Sequence, residues 1–230
     1  MVVERSNAGQ ESAVLCSGGL DSVVLLADEA ARHPVLPVYV RVGLAWEPAE
    51  EARLGRILAT PPFSAGVRPL VALDATVRDL YPPTHWAIRG EPPAYDTPDE
   101  DVYLPGRNVM LIPKAAVLCA QRGIARLVLG PLAANPFPDA TPEFFHAIAR
   151  AVSLGLAHPL EIATPFTGLH KAAVIARGVA LGVDLAQTLS CMNPVDARHC
   201  GRCSKCRERR DAFVEAGIED RTIYDGPSPR

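Results

Sequence analysis

No stretch of this 230-residue chain is apolar for long enough to span a bilayer. It has no strong basic excess either. The formal net charge is −3, so no dedicated nucleic-acid surface is implied. A local basic cluster at residues 202–210 reads equally as a solvated helix face. The first twelve residues are polar and lack the apolar centre of a secretory signal. No internal repeat is evident. These absences lead to the expectation of a soluble, cytoplasmic chain with no membrane partner.

The chain does carry a large apolar fraction, 48%, enough for a sizeable core. Its length suits one main domain with a small appendage. Proline is frequent, with 22 residues, and gathers at 82–105 and 131–142. Both stretches read as long loops, and long loops in compact domains are often functional. Elsewhere short β-rich runs (13–16, 36–42, 67–73, 126–129 and 160–162) alternate with helical patterns (20–32, 48–59, 109–122, 142–156 and 171–181). Strands that are apolar throughout and separated by helices imply a parallel sheet covered on both faces. The expected fold is therefore α/β, a doubly wound, Rossmann-like, five-stranded parallel sheet. Such folds bind ligands at the carboxyl ends of their strands.

At one such end stand Ser17, Gly18, Gly19, Leu20, Asp21 and Ser22, between an apolar run and a helical pattern. Two glycines permit a tight turn and close backbone approach to a ligand. Free N–H groups at the helix start favour an anion, most naturally phosphate. A Walker A loop would end in Gly-Lys-Ser/Thr, and here Asp21 stands where the lysine belongs. An acidic group beside polyphosphate suggests Mg²⁺, which prefers oxygen ligands. The string resembles the Ser-Gly-Gly-x-Asp-Ser signature of the PP-loop ATP pyrophosphatases, which adenylate a substrate oxygen and release pyrophosphate. The loop that ends in Gly106-Arg107-Asn108 and the loop that starts at Gly130 open at the same edge.

Four of six cysteines, Cys191, Cys200, Cys203 and Cys206, fall close together as C-x8-C-x2-C-x2-C. Two CxxC steps sharing Cys203 suit four thiolates on one tetrahedral Zn²⁺, a closed structural site. An iron–sulfur cluster has the same ligand count, and a redox pair is the weaker alternative. The expected division is an ATP-binding body over 1–187 and a four-cysteine region with a helix over 188–230. Cys119 lies in an apolar helical pattern and reads as core. Cys16 reads as buried and inert, with a reactive thiol as the alternative.

With loop and cysteines together, the chain resembles the 7-cyano-7-deazaguanine synthase family, PP-loop enzymes of queuosine precursor biosynthesis. The matching strings are residues 17–22, Leu104-Pro105-Gly106-Arg107-Asn108, Pro138-Asp139, Pro142-Glu143-Phe144, Thr164-Pro165-Phe166 with Lys171, Thr188-Leu189-Ser190-Cys191, and Cys200-Gly201-x-Cys203-x-x-Cys206-x-x-Arg209. The resemblance implies an adenine nucleotide alpha hydrolase-like fold. It also implies an ATP-dependent ligase that joins 7-carboxy-7-deazaguanine and ammonia, by way of an amide, into the nitrile. Asp21, Arg107 and Lys171 would be its catalytic residues. Ser17, Gly18, Gly19, Leu20, Asp21, Ser22, Asn108 and Gly130 would bind ATP and Mg²⁺. Asn108 reads alternatively as a helix cap. One structural zinc per chain and a homodimer are further implications.

Two stretches depart from the family pattern. Val42-Gly43-Leu44-Ala45-Trp46 stands where the family carries Tyr-Gly-Gln-Arg-His, and Ala140 and Thr141 replace Cys and Arg after Asp139. The ATP half looks intact and the acceptor half rebuilt, so a related carboxylate is a second candidate substrate. Trp46 reads as core or as a stacking platform. Residues 81–104, with Trp86, Tyr95 and Tyr103, read as a lid or a solvated loop. The rival readings are a PP-loop tRNA thiolase and a non-catalytic nucleotide-binding paralogue.

Overall fold

The computed structural model describes residues 11–133 and 135–226. Most of the polar N-terminal stretch lies outside these residues. Five strands, β1 (Ser12–Leu15), β2 (Val35–Arg41), β3 (Val71–Asp74), β4 (Arg126–Val128) and β5 (Glu161–Ala163), form one parallel sheet in the order β3-β2-β1-β4-β5. The helices are α1 (Leu20–Ala30), α2 (Glu47–Leu58), α3 (Trp86–Arg89), α4 (Arg107–Arg122), α5 (Pro142–Gly155), α6 (Lys171–Ala180) and α7 (Ser204–Ala216).

Alternate strand residues serve opposite faces. Ala13, Leu36, Val38 and Leu127 pack with Ile112, Ala115 and Cys119 of α4 and Phe145 of α5. Val14, Val35, Tyr39 and Val128 pack with α1 and with Val174 and Ile175 of α6. The doubly wound sheet expected from the sequence is therefore the observed one.

The third strand starts later than its apolar run. Val67 makes only an isolated bridge to Val35, and regular pairing begins at Val38 opposite Val71. Pro37 and Pro69 bring no N–H to the stretch between. α4 starts earlier than its apolar pattern. Gly106 caps it, and the Asp139 carboxylate accepts from the backbone N–H of Asn108, 3.0 Å away. Asn108 is thus the second residue of the helix and not its cap; its side-chain amide donates to the Asp139 carbonyl at 2.8 Å.

The proline-rich stretch 81–104 is anchored to the core at three points. Ala87, Val102 and Leu104 are buried in the core, and Ala87 accepts a backbone hydrogen bond from Ala45. The C-terminal segment returns beneath the first loop, where the Leu189 N–H donates to the Gly18 carbonyl at 2.9 Å. α7 then packs against α6. The fully buried Arg209 ties this segment together, donating to Thr188, Ser190 and Thr222 hydroxyls and to the Leu185 carbonyl. Among the described residues no helix is long and apolar enough to cross a membrane.

Candidate active site

The loop from β1 to α1 is held open by its own side chains. The Ser22 hydroxyl accepts from the Ser17 N–H at 3.2 Å and donates to the Gly19 carbonyl at 3.0 Å. The Gly19 N–H donates to the Ser17 hydroxyl at 3.3 Å. Gly18 has φ +82°, and a Cβ there would lie 3.1 Å from the Glu50 carbonyl, so a side chain is both strained and crowded. No side chain caps α1, which leaves its first N–H groups facing the crevice at the positive end of the helix dipole. Leu20 takes part through its backbone alone, because its side chain is in the core.

Charge converges on this loop from the far end of the chain. Lys171, the first residue of α6, places Nζ 3.1 Å from Asp21 Oδ2 and 2.6 Å from Glu208 Oε1. Lys205 Nζ lies 2.7 Å from the other Glu208 oxygen. A lysine at a helix N-terminus opposes the dipole. Burial also works against its charge, but the Asp21 and Glu208 carboxylates more than offset this and raise its pKa. Burial likewise opposes the Glu208 charge, yet Lys171 and Lys205 pull it down to about 2. The second Asp21 oxygen, Oδ1, is buried without a hydrogen-bond partner. A buried, unsatisfied carboxylate oxygen beside a phosphate-type loop fits a Mg²⁺ ligand.

Arg107, the first residue of α4, faces the loop across the crevice. Its Nε is also buried without a partner. Between Arg107 and the loop stands Glu50 of α2, 7% exposed, whose Oε2 accepts from the Tyr39 hydroxyl at 2.9 Å. Burial pushes its carboxyl up to about 7, while Arg107, the Tyr39 hydroxyl and the Trp46 indole restrain the rise.

Two adjoining cavities share this wall. The smaller, about 260 Å³, sits over the ends of β1, β2 and β4 and is lined by Leu15, Val40, Leu111 and Leu129, with Asn108 at its side. The larger, about 530 Å³, holds Asp21, Lys171 and Glu208 at one end and Trp46 and Trp86 at the other. Ser17, Glu50, Arg107 and Gly130 line both. The ring centroids of Trp46 and Trp86 lie 5.8 Å apart at 12°, and the stack continues through His85 to Tyr81. Trp46 is thus both buried and part of the cavity wall.

The four cysteines form one buried cluster whose sulfurs all lie within 4.8 Å of one another. Individual Sγ···Sγ separations are 3.6, 3.9 and 4.0 Å. Four ligands on one tetrahedral ion with bonds of about 2.3 Å stand about 3.8 Å apart. A disulfide would need about 2.05 Å. A cubane binds each thiolate to a different iron and spreads the sulfurs wider. The set therefore fits a single metal ion. Backbone N–H groups of Asn193 and Cys200 donate to Cys191 Sγ, and that of Arg202 to Cys200 Sγ. Gly201 has φ +75°, and a Cβ there would collide with the Gly226 carbonyl, so the knuckle closes only on glycine.

The two remaining thiols are buried. Burial pushes the Cys16 thiol up to about 11 and the Cys119 thiol up to about 12. Neither has the lowered pKa of a reactive thiolate.

Glu50, Tyr39 and Glu208 escaped the sequence reading. For Glu50 a signal existed: it falls on the apolar stripe of α2 with Trp46, Leu54 and Ile57, at helical spacing. Glu208 gave no signal within a charged C-terminal helix.

The profile described as "Queuosine biosynthesis protein QueC" matches residues 90–217. The chain is 32% identical to the 7-cyano-7-deazaguanine synthase of Anaeromyxobacter dehalogenans (strain 2CP-C), covering 97% of this chain and 99% of that protein. It is 33% identical to the 7-cyano-7-deazaguanine synthase of Methanopyrus kandleri, covering 92% and 97%. Among solved structures, a 4-thiouridine synthetase–RNA complex with bound ATP covers 90% of this chain and 51% of its own, with TM-score 0.48 and 16% identity. Relatives that match from end to end, together with the profile over the second half, establish that the chain belongs to the QueC family of 7-cyano-7-deazaguanine synthases.

Proposed function

We propose that the protein is an ATP-dependent ligase that adenylates a carboxylate and converts it with ammonia into an amide and then a nitrile. The acceptor is 7-carboxy-7-deazaguanine, the product 7-cyano-7-deazaguanine, with a related planar carboxylate as the second candidate. The observation that carries this reading is a pair of orphaned groups of opposite sign facing one crevice. These are Asp21 Oδ1 beside the phosphate-type loop and Arg107 Nε across from it, with Lys171 at hand.

In this reading the adenosine occupies the smaller, mainly apolar cavity, flanked by Asn108 and Gly130. The phosphates lie along Ser17, Gly18, Gly19, Leu20 and Ser22 at the start of α1. Asp21 would hold Mg²⁺, which supplies charge neutralisation on the phosphates. Lys171 and Arg107 oppose the charge that develops on the departing pyrophosphate. The carboxylate oxygen forms its bond to the α-phosphorus as the bond to pyrophosphate breaks. Ammonia then forms the C–N bond and AMP departs. A second ATP activates the amide oxygen, and AMP departs again to leave the nitrile. Carboxylate oxygen is a poor leaving group and AMP a good one, which is why the route consumes ATP.

Residues 1–187 would form the ATP-binding body and 188–230 the metal-bound region. Cys191, Cys200, Cys203 and Cys206 would hold one Zn²⁺. Four thiolates leave no open position, so this ion is structural and anchors α7, and with it Glu208, against the body. The thiolase alternative is weakened by the buried, high-pKa Cys16, since a sulfur carrier needs an accessible thiolate. The non-catalytic alternative leaves the orphaned Asp21 and Arg107 atoms without a purpose. A cytoplasmic enzyme acting as a homodimer completes the proposal.

ATP–pyrophosphate exchange with 7-carboxy-7-deazaguanine, followed by mass spectrometry of the product formed with ammonia, tests the reading. Exchange and a nitrile product are expected. ATP binding without exchange would move the acceptor to another carboxylate. Absence of ATP binding by calorimetry would remove the enzyme reading altogether.

A further inference from the structure

We propose that Glu50 is the proton acceptor of the amidation and dehydration steps and takes no part in adenylation. This rests on the reaction proposed above and assigns it a catalytic residue. Glu50 lines both cavities, at the wall between the proposed nucleoside and acceptor spaces, where the reacting carbonyl would lie.

The two halves of the reaction differ in proton demand. In adenylation a carboxylate lone pair forms the O–P bond and the P–O bond to pyrophosphate breaks; no proton moves. In amidation the nitrogen lone pair forms the C–N bond, and the C–O bond to AMP breaks with its electron pair leaving on AMP. The nitrogen then carries one proton too many, and that proton has to go to a base. Loss of AMP from the activated amide releases the last two N–H protons. A group that accepts them one at a time and returns each to water completes the balance.

The other carboxylates around the crevice are either engaged or, like Asp211 and Glu215 of α7, exposed to solvent. Asp21 and Glu208 hold Lys171. Asp139 caps α4. The charged and titratable groups that face Glu50 are Glu47 on its own helix, Tyr39 from β2, Arg107 from α4 and Cys16 after β1. Glu47 is bound to the backbone N–H groups of Val42 and Gly43 at 2.7 and 2.9 Å. Burial holds the Tyr39 phenol and the Cys16 thiol in their protonated forms. His170 also lines the larger cavity, but at its exposed rim. Burial brings the Glu50 carboxyl up to about 7, the range in which a general base both accepts and releases a proton at neutral pH.

The test is Glu50→Gln in the full-length, metal-replete protein, with exchange and amide formation measured separately. Exchange is expected within about threefold of wild type and amide formation about 100-fold slower. The rise of the wild-type amide rate with pH near 7 should disappear. Tyr39→Phe removes the hydroxyl that restrains the Glu50 pKa, so it should move that rise to higher pH and leave exchange unchanged. Parallel loss of exchange and amidation in Glu50→Gln would make Glu50 a structural residue, and an unchanged amide rate would remove it from the chemistry. Absence of exchange in the wild type would instead overturn the proposed function.

Discussion

The two ends of the larger cavity are built on different principles. At the proposed phosphate end the groups on offer come from one six-residue loop, its backbone N–H groups, Lys171 and Arg107. At the proposed acceptor end the wall is made of whole side chains, Trp46 and Trp86, brought together from two segments forty residues apart in sequence. A backbone cradle tolerates little change, because Gly18 holds a left-handed φ of +82° and a Cβ there would crowd the Glu50 carbonyl. A side-chain wall can be rebuilt residue by residue without moving the sheet beneath it. That contrast explains how a chain can keep Ser17–Gly18–Gly19 and Asp21 and still carry Leu44, Ala45 and Trp46 where its family pattern is polar.

The largest break in the comparison is expected at the phosphate end. Asp21→Ala removes the orphaned oxygen and half of the Lys171 pairing. ATP–pyrophosphate exchange should fall by about 10³-fold or more, since it loses preorganised charge at the reacting phosphates. Glu208 still neutralises Lys171, so the melting temperature should stay within a few degrees of wild type. Cys203→Ser, or extraction of the metal with a chelator, should do the opposite first. Structural metal binding is coupled to folding, so stability should fall by about 4 kcal/mol or more, roughly 10 °C in Tm. Calorimetry on both variants separates the two: a large stability loss in Asp21→Ala with none in Cys203→Ser would invert the division of roles.

The same contrast governs what was legible in the sequence. Ser17 to Ser22 and the four cysteines are local strings, and each declares its chemistry through residue type and spacing. The sheet was legible because its strands are apolar on both faces. The third strand misled because apolar content does not reveal where Pro37 and Pro69 interrupt the ladder. Glu50 was hidden by its neighbour: Glu50 and Glu51 look alike in sequence, yet Glu51 pairs with Arg41 near the surface while Glu50 turns inward to Tyr39. Which of two adjacent carboxylates is buried depends on the helix phase, and that is fixed by Leu54 and Ile57 packing on the sheet.

A buried carboxylate at the boundary of the two ends should be visible in stability. The Glu50 carboxyl is raised to about 7 from an ordinary value of 4.5. A raised carboxyl favours folding most while protonated, so its contribution is complete below about 4.5 and is lost as pH rises through about 7. Glu50→Gln should match wild type near pH 4.5 and exceed it at pH 8 by on the order of 3 kcal/mol. Urea unfolding at the two pH values measures this. Equal stabilities at pH 8 would mean that Glu50 remains ionised at no cost, and the cavity wall would then be wetter than its 7% exposure implies.

The smallest expected effect lies at the acceptor end, and it sharpens the comparison most. Trp86 is half-buried on the short α3, stacks on Trp46 and lines the larger cavity. Trp86→Ala removes one face of that wall and leaves Ser17, Asp21 and Lys171 in place. Loss of one stacking surface against a planar acceptor is worth about 1 kcal/mol, which corresponds to roughly a five- to tenfold rise in the acceptor KM. The KM for ATP should not move. Steady-state exchange kinetics with each substrate varied in turn would read both. A rise in the ATP KM with the acceptor KM unchanged would place the nucleoside against the tryptophans and exchange the two cavities. Equal rises in both would mean that α3 holds the crevice in shape as a whole, and the wall would then be a lid and not a platform.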